Sequence, residues 1–433
     1  MAKTASPAKT GSQKFTKTEK SWIMYDWANS VYATNILAVI FPIYFGNICQ
    51  QSGADNLVLW SYGTSISTFI VAILAPVLGA LADHKGHKMR LFSTFLAIGV
   101  VFTLTSAFFS EYRMLLVGYV LSHIGFSGSC LFYDSFLTDV TTAERMDRVS
   151  SWGYAMGYIG GSTIPFILSI VILVVMGMDN LLAFKLVIVL TSLWWAMFSI
   201  PFLRNVRQVH YIEARKGLVR STLSNLASTA REIVSQKHIF LFILAYFFYI
   251  DGVGTIISVS TSYGSKLGLD NISMILALLM TQIVAVPFSI LFGRLAEKFG
   301  GLRLLRVAVG IYFFITLVGF YMGFNIESNP NDPGALTLSL VLFWCMAFLV
   351  GTVQGGIQAI SRSHFGKLIP AERSNEYFGF FDIFGKFAAV IGPLLVALFT
   401  QLTGRDSIGV ISLAILFLAG FVLLAVGQRK GAL

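Results

Sequence analysis

The sequence predicts an all-α membrane protein whose twelve transmembrane helices form two pseudo-symmetric six-helix bundles. Three observations carry that expectation. The chain is too apolar to hide its surface in a soluble core: of 433 residues, 56% are hydrophobic and 12% charged, and mean hydropathy is +0.75. Its apolar residues gather in runs of about 20, the length of a membrane-spanning helix, without the strict alternation of a barrel strand. In a bilayer each span must satisfy its own backbone hydrogen bonds, so runs of this kind are helices. The runs also divide six and six around a polar, basic stretch, as in a transporter built from two repeats.

In chain order, residues 1–20 are polar and hold five lysines. No small-residue cleavage site follows a short apolar core, so the first span is expected to be retained and the tail to be cytoplasmic. The first half, 21–203, contains spans expected at 21–46, 57–82, 89–110, 113–138, 149–176 and 181–203. A linker, 204–238, carries Arg204, Arg207, Arg215, Lys216, Arg220, Arg231 and Lys237. The second half, 239–427, contains spans expected at 239–263, 271–296, 302–323, 336–360, 375–400 and 407–427, and a short tail, 428–433, follows.

Lysine and arginine set orientation, because they are retained on the cytoplasmic side. Of 31 such residues, only Arg113, Lys185, Lys266 and Arg405 fall on the loops opposite the N-terminus, and Lys386 falls inside a span. The other 26 share the side of the termini. A missed span would swap every later loop, so both termini are expected in the cytoplasm, and the short loops suit a bacterial inner membrane.

The same placement explains the net charge of +10 without nucleic acid. Cys49, Cys130 and Cys345 give neither a disulfide framework nor zinc spacing. The longest outer loop, 324–335, is a turn-rich dozen residues, leaving no extramembrane domain for separate chemistry. The sequon Asn271-Ile272-Ser273 abuts a span and reads as chance. Gly385-Lys386 lacks the upstream glycine and the following hydroxyl of a nucleotide-binding loop, so no ATP chemistry and no cofactor is expected.

After the second span comes Gly79-Ala80-Leu81-Ala82-Asp83-His84-Lys85-Gly86-His87-Lys88-Met89-Arg90. Gly79 allows close helix contact and Gly86 a tight reversal. Asp83 can accept from a neighbouring helix N-terminus and pair with Arg90, latching the face. The spacing of glycine, acid and glycine repeats after the eighth span at Gly293, Glu297 and Gly300, with Arg303 and Arg306 beyond. His84 and His87 have no further acidic or Cys partner and read as loop residues, with no metal. This loop resembles the signature loop of the major facilitator superfamily, which implies that spans one, four, seven and ten line a central cavity.

A narrower resemblance rests on both halves. Span one reads Tyr25-Asp26-Trp27-Ala28-Asn29-Ser30, then Phe41-Pro42-Ile43-Tyr44-Phe45; span five reads Ser150 to Gly161 as SSWGYAMGYIGG. The last spans carry Gly355-Gly356-Ile357-Gln358-Ala359-Ile360-Ser361-Arg362-Ser363, Phe378-Gly379-Phe380, Gly385-Lys386 and Gly392-Pro393. Together they resemble the vacuole-effluxer-like branch, whose fungal namesake exports amino acids from the vacuole. Asp134 stands where that pattern has Asn and Thr138 where it has Pro, and Asp251-Gly252 lacks its usual polar flanks.

Ionisable groups at membrane depth cost several kcal/mol unless paired or solvated, so each is a candidate for the transport path. Asp26 and Asn29, with Ser30 and Ala33, form one small and polar stripe on span one. His123 and Asp134 lie on span four, Asp251 on span seven, and Gln354 and Gln358 on span ten. Asp26 reads either as a helix-start residue or as a path residue. Asp134 and Asp139 read either as path residues or as a latch with Arg145 or Arg148. Asp251 has the fewest structural excuses and is the leading coupling candidate. Asp382 and Lys386, four apart on span eleven, can pair, and Lys386 can also receive an anionic group. Gly153, Gly157 and Gly161 give span five one smooth packing face.

The expected function is secondary active transport by alternating access, with protons as coupling ion and a small polar or zwitterionic, amino-acid-like solute. An exporter or flippase of hydrophobic drugs or lipids is the alternative reading, and a receptor or membrane enzyme a remoter one. The protein is expected to be a monomer in the lipid bilayer.

Overall fold

A computed structural model of the chain describes residues 14–177, 180–213, 228–269, 271–330 and 332–429. Arg215, Lys216 and Arg220 of the linker, most of the N-terminal tail and the last four residues lie outside the described residues, as do the side chains of Asn271 and Ile272. Among the described residues, twelve helices are long and apolar enough to cross a membrane. In the first half they are α1 (Lys17–Gln51), α2 (Val58–Ala82), α3 (His87–Ser106), α4 (Tyr112–Val140), α5 (Met146–Met176) and α6 (Leu181–Asn205). In the second they are α7 (Lys237–Ser260), α8 (Leu276–Phe299), α9 (Gly301–Ser328), α10 (Pro333–Leu368), α11 (Ala371–Thr403) and α12 (Asp406–Gln428). Both termini therefore emerge on one face, called here the terminal face, opposite a far face.

Helices this apolar gain little by hiding hydrophobic area from lipid, so small residues and hydrogen bonds decide how they pack. Glycines mark the closest approaches. A methyl group added at Gly125 of α4 would collide with Gly99 of α3, and one at Gly351 of α10 would stand 2.9 Å from Val284 of α8. The halves meet along two related seams. On one, Gly79 of α2 abuts the backbone of Asn375 and Glu376, and Gly379 of α11 faces the carbonyl of Ala75. On the other, Gly293 of α8 abuts Ser151 and Arg148 of α5. The glycines of the two repeated loop motifs thus occupy matching places, as a repeat of halves requires.

Two spans are interrupted by π-helical turns, Ala33–Ala38 in α1 and Tyr158–Thr163 in α5. The second precedes Pro165, whose missing N–H and bulky ring disturb the regular ladder; the Thr163 hydroxyl donates to the displaced Tyr158 carbonyl at 2.7 Å. In α1 the hydroxyls of Ser30 and Thr34 donate back to Asp26 and Ser30 carbonyls, which favours bending. The two interruptions touch where Thr34 donates to Ser162 at 3.0 Å. Gly157 and Gly161 let α5 lie against Ser30 of α1, so the glycine face of span five is a contact with α1.

The linker is anchored at both ends. Ile212 and Lys85 exchange backbone bonds beside Asp83, with Ile212 N–H to Asp83 at 2.8 Å and Lys85 N–H to Ile212 at 3.1 Å. Gly86 makes the reversal there with φ +75°, as its type allows. On the return, Glu232 accepts from Arg373 at 2.8 Å.

Candidate functional site

The centre of the site is Arg362 on α10. Its Nη1 donates to Asp134 of α4 at 2.8 Å and its Nη2 to Asp26 of α1 at 3.2 Å. Its Nε donates to the Ser150 hydroxyl at 2.9 Å, and Nη2 also reaches the Ser150 carbonyl at 3.1 Å, both on α5. The guanidinium lies 4.5 Å from the Tyr154 ring centroid and 4.7 Å from that of Trp22. A planar fork suits this combination of bidentate donation and stacking, which lysine would not reproduce.

The two carboxylates differ. Asp26 is held from behind by the Tyr133 hydroxyl at 2.7 Å, and Gly153 leaves just enough room for it. Its side chain is 11% exposed, whereas that of Asp134 is 36% exposed and that of Arg362 5%. Asp134 is therefore partly accessible, and Asp26 is enclosed. Removing one partner from a buried ion pair costs about 3–5 kcal/mol, because it strands a charge. The cluster ties α10 of one half to α1, α4 and α5 of the other.

More ties between the halves lie on the terminal side of it. Asp147 accepts from Ser363 at 2.6 Å and pairs with Lys367 at 2.7 Å. Asp83 accepts from the N–H groups of Asn375 and Glu376 at 2.9 and 3.0 Å and from the Asn375 amide at 2.8 Å. These donors belong to the first turn of the regular helix of α11, where a carboxylate is favoured. Buried Lys88 pairs with Asp139 at 2.6 Å and donates to Ser374 at 3.1 Å. The terminal face is sealed.

Burial pushes the pKa of Asp83 up to about 7, against the pull of the Asn375 amide, Lys88 and the two backbone N–H groups. An opened latch returns the carboxylate to water and to its ordinary 3.8, so the closed latch binds a proton more tightly. Closure is therefore favoured as pH falls through 7 and opposed as it rises. Spin labels replacing exposed Arg90 and Glu372 should show a larger short-distance population at pH 6 than at pH 8. Asp83→Asn should flatten that response; a pH-independent wild type would refute the linkage.

The chain matches the model of the family described as vacuole effluxer Atg22 like, over residues 57–144 and 138–432. The chain belongs to this family. It is 44% identical to the MFS-type transporter YxiO of Bacillus subtilis (strain 168), over 95% of each protein. It is 25% identical to Autophagy-related protein 22 of Pichia angusta, covering 87% of this chain and 76% of that one. The human organic anion transporter MFSD10 (TETRAN) shares the fold with a TM-score of 0.69 at 13% identity, covering 94% of this chain and 99% of that one. This Atg22-like chain is thus a transporter of the major facilitator superfamily and not an enzyme.

Within this effluxer-family fold, the residues singled out from sequence separate into groups. Asp26 and Asp134 come together on Arg362, while Asp382 and Lys386 form an ion pair with each other. That i,i+4 pair lies within one helix and ties no two helices together, unlike the Arg362 cluster. Asn29 approaches Cys130 at 3.8 Å, and His123 bonds to the Ser67 hydroxyl of α2 at 2.7 Å. Gln354 is buried and Gln358 half-buried, and neither amide has a hydrogen-bond partner among the described residues. Asp251 stands apart: it accepts the Gly392 N–H at 2.9 and 3.0 Å, capping α11 where Pro393 disturbs the helix.

Three expectations need correction. Arg90 is exposed and does not pair with Asp83; buried Lys88 is the nearby cation, because the turn at Gly86 points residue 88 inward. Asp134 and Asp139 do not latch to Arg145 or Arg148; Arg145 instead forks onto Glu19 at 2.7 and 2.8 Å. Glu297 is exposed and grips no helix N-terminus, so the second loop repeats the glycine contact but not the acid latch. Arg362 was missed because its apolar run stops near 360. The helix continues to Leu368, since Ser361, Arg362 and Ser363 find partners on other helices or on their own turn. The signal available was an arginine flanked by serines within a helix that is otherwise small and apolar.

Proposed function

We propose that the chain moves a small zwitterionic, amino-acid-like solute by alternating access, coupled to protons, with its terminal face in the cytoplasm of a bacterial cell. The bias of lysine and arginine toward that face supports the orientation. The observation that carries the coupling is Arg362, which joins the halves through one enclosed and one accessible carboxylate. With all three groups ionised the cluster carries one net negative charge at membrane depth, a costly state. A proton entering the cavity on Asp134 cancels it and frees one arm of Arg362. The seal between halves then weakens and the terminal face can open. Asp251 contributes through α11, by holding Gly392, and not through direct contact with Arg362.

Purified protein in liposomes tests this reading. A mixture of labelled neutral amino acids should accumulate against its gradient when a pH difference is imposed, and a protonophore should collapse the accumulation. Flux indifferent to the pH difference would sink proton coupling. Inhibition by lipophilic cations, with none by amino acids, would favour a drug exporter instead.

A further inference from the structure

The Arg362 cluster and the Lys386–Asp382 pair are built for different work. Arg362 is sandwiched between aromatic rings, and its donors are spent on Asp26, Asp134 and Ser150 of the other half. A solute that took hold of it would have to dismantle the seal. Among the described residues Lys386 and Asp382 pair only with each other; they lie on the same helix and are 18% and 30% exposed. Parting them breaks no tie between helices. Helix α11, which carries them, packs against α4, the helix of His123, Cys130 and Asp134. The amides of Gln354 and Gln358 on α10 have no hydrogen-bond partner among the described residues.

Neighbours at i and i+4 are about 6 Å apart along the helix, room for one small group between their charged ends. An anion alone would take Lys386 and leave Asp382 bare. An amine alone would do the reverse. A solute carrying both an ammonium and a carboxylate on one carbon satisfies both at once, and an unpaired charge at this depth is what the site must avoid.

Resting on the zwitterion reading above, we propose that Lys386 and Asp382 are the specificity-determining pair. Lys386 takes the carboxylate of the solute and Asp382 its ammonium, while Arg362 stays a gate residue that does not touch solute.

The test uses full-length protein in liposomes and the labelled neutral amino acid that wild type exchanges best. Its decarboxylated amine and its deaminated acid serve as competitors. Lys386→Gln should raise the exchange KM at least tenfold, abolish inhibition by the acid and keep inhibition by the amine. Asp382→Asn should do the opposite, losing the amine and keeping the acid. Lys386→Arg should restore KM to within about threefold, and thermal unfolding of each variant checks that the protein is intact. Selective loss of one competitor is not something a merely structural lesion produces. A KM within twofold of wild type in Lys386→Gln, or equal loss of both competitors in either variant, overturns the assignment. No exchange of any neutral amino acid by wild type would instead sink the zwitterion reading itself.

Discussion

Arg362→Ala should abolish net transport and release the terminal-face seal. The substitution leaves Asp26 and Asp134 without their cation and removes the donors that hold Ser150 of α5 against α10. Stranding buried charge in this way costs about 3–5 kcal/mol, or roughly two to three orders of magnitude in the balance between sealed and unsealed states. Cysteine accessibility reads the result. A buried residue on the seam between the halves, such as Ser151 replaced by Cys, should become reactive from the terminal side in the Arg362→Ala background and stay protected when Arg362 is present. Arg362→Lys should give an intermediate effect, because an ammonium cannot fork across two carboxylates while stacking on Trp22 and Tyr154. Unchanged protection in the alanine variant would show that the latches at Asp83 and Asp147 seal the face unaided.

Asp134→Asn should uncouple transport while sparing the carrier. Asparagine keeps an oxygen for Arg362 but carries no titratable charge, and Asp26 still balances the guanidinium. Accumulation driven by a pH difference should fall at least tenfold, to simple equilibration, whereas exchange of solute for solute should stay within about threefold of wild type. Asp26→Asn is expected to damage both, because Asp26 is enclosed between Tyr133, Gly153 and Arg362 and its charge has no substitute. Full pH-driven accumulation by Asp134→Asn would move the coupling role elsewhere, with Asp251 next in line.

Much of the fold was legible from the chain. Long apolar runs, glycine spacing and the doubled loop motif report local properties, and a bilayer makes them decisive because each span must close its own hydrogen bonds. The site was only half legible. Asp26 and Asp134 were visible as charges at membrane depth, but nothing local said that they share one partner. Asp251 shows the limit from the other side, since nothing local said that this mid-span carboxylate would accept the Gly392 N–H. Arg362 shows it most clearly. It sits at the edge of its apolar run, 336 positions along the chain from Asp26, and sequence position alone places it in a loop.

The sequence by itself therefore determined the class of molecule, the count of spans and the division into two halves. Tertiary structure alone decided which charges meet, which carboxylate stays accessible and which face is sealed. The physical reason lies in the solvent. In a membrane, lipid-facing and core-facing positions are both apolar, so hydrophobic periodicity does not reveal which side of a helix points inward. Partners across the interior are fixed by how helices cross, and that is a property of the packed assembly.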